Sequence, residues 1–163
     1  MSLIDEIQAE AKNLGLLLFG VTNPAPPSTY PVFQNWLDDG HHGSMHYLAS
    51  ERSRALRAEP RLVLPECQSV LVFGMPHTSP NGQHPDYPSG GEPYGRIAAY
   101  AWGDDYHDII PNRFNKLIQS LEHLTIAHTK HAFKTVPGYK IYTDTGPVLE
   151  HDLAQRAGLG WIG

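Results

Sequence analysis

SLIDEIQAEAKNLGLLLFGV, residues 2–21, changes its hydrophobic period once, at a glycine. Leu3, Ile4, Ile7, Ala11 and Leu14 recur at helical spacing behind Ser2, with Asp5 and Glu6 in the first turn and Gly15 as the stop. LLLFGV at 16–21 is then a continuous apolar run of strand length. A capped amphipathic helix that passes directly into a buried strand predicts a domain in which helices cover a sheet.

The remaining elements are read outward from that pair. NPAPPSTYP at 23–31 is a loop, because its prolines cannot sustain a helix or a ladder. A short helix is expected over Val32–Asp39, closed by Gly40 and presenting Phe33, Trp36 and Leu37, with a further turn in HHGSMHYL. SVLVFGM at 69–75 predicts the second strand. Residues 78–95 are dense in Pro, Gly and Asn and predict a surface excursion. A long helix is expected from about Asp108 to Leu124, with Pro111 in its first turn. HAFKTV at 131–136 and YKIYT at 139–143 predict two more strands, and a last helix is expected from Pro147 to about Ala157. The fold class is therefore mixed α/β (α+β), a single sandwich over residues 1–163 with a central sheet flanked by helices.

Composition narrows the function classes. With 163 residues and 40% hydrophobic content the chain suits one buried core. A formal net charge of -5 excludes gripping nucleic acid by overall charge, so any such contact is local. Cys67 is the single cysteine, expected as a buried thiol, which excludes a disulfide or a multi-cysteine metal site within the chain. The first residues carry acids and lack a long apolar core, so neither a signal peptide nor a membrane span is expected, and the cytoplasm is the default location.

Four groups of residues could carry chemistry. His41, His42 and His46 have helical spacing for two imidazole ligands, but no third ligand is placed, and surface histidines are the preferred reading. Arg52, Arg54, Arg57 and Arg61 could bind the phosphate or amide groups of a large cofactor, or form a solvated helix face with Glu51 and Glu59. Tyr100, Trp102, Tyr106 and His107 in RIAAYAWGDDYHD, residues 96–108, suit either an aromatic wall for a flat ligand or core packing. Asp144 in YTDTGPVLE, residues 142–150, stands before a helix and could cap it or act as an acid.

Three long strings, PRLVLPECQSVLV at 60–72, GRIAAYAWGDDYHDII at 95–110 and TDTGPVLEHDLAQRAGLGWIG at 143–163, together resemble the epoxyqueuosine reductases. The likeness runs in order along nearly the whole chain. It implies the amino-terminal, cobalamin-binding part of an oxidoreductase that reduces epoxyqueuosine to queuosine at the wobble position of tRNA. In that family two 4Fe–4S clusters supply electrons to the cobalt. By resemblance Asp144 matches the proton donor to the departing epoxide oxygen, an assignment that requires its carboxyl to be held dry against the macrocycle. Arg57 and Ala98 match residues lining the cobalamin pocket. Asp144 also borders that pocket, and His151 falls where relatives carry Arg or Lys.

The family continues past GLGWIG into a ferredoxin-like module of the C-x₂-C-x₂-C-x₃-C-P type. With one cysteine this chain has no ligand set for a cluster, so a fragment that is inactive alone is expected. The alternative is a stand-alone cobalamin or small-ligand module without catalysis. A monomer with no membrane partner is expected, and tRNA is the partner of the parent protein.

Overall fold

The computed structural model describes residues 2–77, 95, 97–128 and 138–162. Helix α1, Leu3–Asn13, starts at a reciprocal cap: the Ser2 hydroxyl accepts from the Asp5 amide at 3.2 Å, and the Asp5 carboxylate accepts from the Ser2 amide at 2.8 Å. Leu16 is buried, and strand β1, Leu18–Thr22, follows. Strand β2, Val70–Gly74, pairs antiparallel with β1, with Leu18 opposite Gly74 and Thr22 opposite Val70.

Between the strands lie α2 (Tyr30–Asp38), α3 (His46–Ala49), α4 (Glu51–Ala58) and a 3₁₀ turn at Pro60–Leu62. After β2 come a 3₁₀ turn at Ala99–Ala101, the long helix α5 (Tyr106–His128) and α6 (Glu150–Arg156).

The two strands present different faces to different helices, because successive side chains alternate. Phe19 and Phe73 stack across the pair with centroids 5.1 Å apart, and Phe73 meets Phe114 of α5 edge-on at 5.2 Å. Ala11 of α1, Leu16 and Leu117 of α5 form the buried centre on that side. On the opposite face Gly20 lies so close to the end of α6 that an added Cβ would overlap the Ala157 carbonyl oxygen. The expected mixed fold, a sheet with helices on both faces, is what the chain adopts. Gly20→Val should therefore push α6 off the sheet and cost about 1–3 kcal/mol of stability. An unchanged urea midpoint for that variant would contradict the close approach.

Two long-range polar ties complete the frame. Arg113 on α5 donates to the Leu14 carbonyl at 2.8 Å, capping the end of α1, and the Ser120 hydroxyl donates to the Glu10 carboxylate at 3.0 Å. On the other side the carboxylate of Asp152, 2% exposed, accepts from the Thr29 amide at 3.2 Å, the Thr29 hydroxyl at 3.0 Å, the Ser28 hydroxyl at 3.3 Å and Arg156 at 2.6 Å. Asp152 thereby joins α6 to the entry of α2.

Several boundaries differ from the sequence reading. Helix α5 begins at Tyr106 rather than near Asp108, because the Asp105 carboxylate accepts from the His107 amide at 2.9 Å and its carbonyl receives the first helical bonds. Pro111 thus falls in the second turn, where it cannot supply the donor that the His107 carbonyl would receive in a regular helix. Residues 139–143 form no strand. The β-preference of Tyr, Ile and Tyr is a preference for a pleated, partnered surface, and no ladder among the described residues includes them. Helix α6 starts at Glu150 rather than Pro147, since residues 143–148 are taken up by a turn. The expectations for 131–136 and for 78–94 lie outside the described residues.

Candidate active site

A cavity of about 1810 Å³ opens beside β2, walled by the 3₁₀ turn at 99–101, the start of α5, residues 138–144 and the first half of α6. Sites for drug-sized molecules occupy about 300–1,000 Å³, so this one has room for a much larger, flat ligand. Phe73, Tyr100, Trp102, Tyr106 and Tyr142 supply rings to the wall, while Asp144, Glu150 and His151 supply polar tips. Of the aromatic cluster read from the sequence, Tyr100, Trp102 and Tyr106 therefore line a cavity instead of filling a core, and His107 stands off its wall. Tyr106 stacks on His107 with centroids 4.1 Å apart and meets Tyr100 edge-on at 6.3 Å.

Asp144 is the non-glycine residue with positive φ among the described residues, at 58°. This left-handed conformation is uncommon for side chains other than those of Asn and Asp, and surrounding contacts must hold it. Its carboxylate accepts a hydrogen bond from the Tyr106 hydroxyl at 2.5 Å, and its amide donates to the Glu150 carboxylate at 3.0 Å. The Asp144 carboxylate pushes the Tyr106 phenol up to about 12, because ionising the phenol would lose the hydrogen bond. Burial, and then the neighbouring Asp144 carboxyl, raise the pKa of Glu150 above the ordinary carboxylate value. Asp144 borders the cavity but its side chain is exposed, whereas the sequence reading required it to be dry.

The other expected site residues separate. His151 borders the cavity from α6 and is exposed. Ala98 is also exposed and precedes the 3₁₀ turn; its neighbours Ala99 and Tyr100 line the cavity, and it does not. Arg57 is buried and lies off the cavity wall. Its guanidinium donates to the Ser53 hydroxyl and, at 3.2 Å, to the Gly146 carbonyl, and it lies 5.6 Å from the Phe33 ring centroid. Arg57 therefore anchors the turn that carries Asp144. Gly146 must be glycine there, since a Cβ would run into the Tyr142 ring.

Of the remaining arginines, Arg54 pairs with Asp38 at 2.9 Å, and Arg52 and Arg61 are exposed, as a solvated face requires. Cys67 is half-buried on the cavity wall instead of fully buried. His42 and His46 meet edge-on at 5.8 Å, and no group of three metal-ligating side chains occurs among the described residues. No helix among them is long and apolar enough to cross a membrane.

Glu150 and Asp152 were not singled out by sequence reasoning. Glu150 stands six positions after Asp144, across Pro147, and nothing in that spacing indicates that its carboxylate folds back onto the Asp144 amide.

The family model described as "Epoxyqueuosine reductase QueG, DUF1730" matches residues 57–145, more than half of the chain. The chain belongs to the epoxyqueuosine reductase family. Among curated relatives, the epoxyqueuosine reductase of Alicycliphilus denitrificans is 36% identical over 99% of this chain and 43% of its own length. Those of Vibrio cholerae and Escherichia coli are 33% and 30% identical, again over 99% of this chain, and are covered to 40% and 39%. The solved structure of epoxyqueuosine reductase from Streptococcus thermophilus superposes with a TM-score of 0.76 at 25% identity, covering 100% of this chain and 40% of that one. The chain thus spans about two fifths of the length of the epoxyqueuosine reductases it matches. The family model's match includes Arg57, Ala98 and Asp144 and ends before His151.

Proposed function

We propose that residues 1–163 form the cobalamin-binding domain of an oxidoreductase that converts epoxyqueuosine to queuosine in tRNA, with Asp144 as the proton donor to the epoxide oxygen. The observation that carries this reading is the position of Asp144 on the wall of an aromatic cavity of about 1810 Å³, its carboxylate held by Tyr106. The cavity fits a corrin ring in size and in its mixture of flat apolar walls and few polar tips. Asp144 and His151 border it and could meet such a ring directly, whereas Arg57 would act through the Gly146 turn. Ala98 would contribute through the backbone leading into Ala99 and Tyr100.

When bound, cobalamin supplies the redox-active metal at which the epoxide is reduced. Conversion of the epoxide to an alkene consumes two electrons and two protons and releases the oxygen as water. The protein's part is to deliver a proton to an oxygen that leaves poorly as an anion. A flat ring covering the cavity would exclude water from the Asp144 side chain, and burial favours the neutral, proton-bearing form of a carboxyl. His151 could pair through its ring nitrogens with a phosphate or amide group of the ligand.

Electron delivery is not assigned to these residues: a 4Fe–4S cluster needs several thiolates, and the sequence contains Cys67 alone. The reading therefore makes this chain part of a longer protein, monomeric and cytoplasmic, that meets its tRNA through local contacts. A second reading is a cobalamin-binding module without catalysis, for which the cavity alone suffices. Both readings predict that the purified chain, mixed with cob(II)alamin, shifts the cobalt absorbance bands and quenches the fluorescence of Trp102. An unchanged spectrum at high micromolar chain would sink both.

A further inference from the structure

The left-handed backbone of Asp144 is held from two independent elements. Tyr106 is the first residue of α5, where Asp105 caps the helix and the His107 and Tyr100 rings pack against the phenol. Glu150 is the first residue of α6, which the buried Asp152 ties to Ser28 and Thr29. The two helices thus present one donor to the Asp144 carboxylate and one acceptor to its amide, at 2.5 and 3.0 Å.

A carboxylate on a turn would otherwise sample several rotamers, and a misplacement of about 1 Å can cost on the order of 100-fold in rate. We infer that Tyr106 and Glu150 are positioning residues for Asp144, Tyr106 setting the direction of its carboxyl and Glu150 clamping the left-handed backbone beneath it. This rests on the reading of Asp144 as the proton donor.

Three variants test the assignment in the full-length protein with cobalamin bound: Tyr106→Phe, Glu150→Ala and Glu150→Gln. With cob(II)alamin saturating, Tyr106→Phe and Glu150→Ala should each slow single-turnover epoxide reduction by about tenfold or more. Glu150→Gln keeps an oxygen that can accept from the Asp144 amide and should restore most of the rate. Independently of activity, hydrogen exchange at the Asp144 amide should accelerate in Glu150→Ala and stay slow in Glu150→Gln. Wild-type rates in Tyr106→Phe and Glu150→Ala, beside an inactive Asp144→Ala, would overturn the positioning role and leave the proton-donor reading standing. An active Asp144→Ala would remove that reading itself, while the exchange measurement still reports the clamp. Tyr106→Phe deletes a single oxygen, so it decides the question even where Glu150→Ala fails to fold.

Discussion

Asp144→Ala, made in the full-length protein that carries this chain, is expected to bind cob(II)alamin normally and to lose single-turnover epoxide reduction by about 10²- to 10⁴-fold, the usual worth of a positioned general acid. Binding should survive because the cavity wall is built mainly from rings and apolar side chains, of which Asp144 is one polar tip among several. The reaction should not survive, because among the polar tips Asp144 is the one held from both sides, its carboxylate by Tyr106 and its amide by Glu150. Asp144→Asn separates proton delivery from shape: the amide tolerates the left-handed backbone and can still accept from Tyr106, but it carries no acidic proton. Product formation at the wild-type rate in either variant, with cobalamin bound, would remove Asp144 from the chemistry.

Asp152→Ala is the change expected to cost the most stability, about 3 kcal/mol, the lower end of the penalty for removing one member of a buried charged pair. The carboxylate is 2% exposed, and its loss leaves the Thr29 amide and hydroxyl and the Arg156 guanidinium without their shared acceptor. Arg156 keeps its contacts to Asn23, which moderates the effect. At about 2–4 °C per kcal/mol for a chain of this size, the melting temperature should fall by about 6–12 °C. Burial alone would raise the pKa of Asp152, but the Thr29 and Arg156 hydrogen bonds together outweigh it and hold the value below the ordinary 3.8. A depressed folded-state pKa contributes stability that is present above the unfolded value and is lost as pH falls through the folded one. Wild-type protein should therefore lose stability on acidification below about pH 4, and Asp152→Asn should lack that component of the slope. Equal acid sensitivity of the two proteins would place the titrating group elsewhere.

What the amino-acid sequence settled by itself was local or additive. The Ser2–Asp5 cap, the glycine between α1 and β1 and the apolar runs at 16–21 and 69–75 act within a few residues, so their elements appear close to where periodicity places them. A single cysteine and a net charge of -5 are totals that no folding can alter, and the three long strings identified the family. Tertiary structure decided the rest. The strand preference of residues 139–143 went unrealised because a strand requires a partner, and no local pattern supplies one. Arg57, one of four arginines with similar neighbours, became the buried one because a carbonyl 89 residues away came within reach. Tyr106 meets Asp144 across 38 residues and Thr29 meets Asp152 across 123, separations at which side-chain contact depends on how whole helices pack. Helical and strand periods specify which face a residue occupies, but only the assembled core specifies what that face meets.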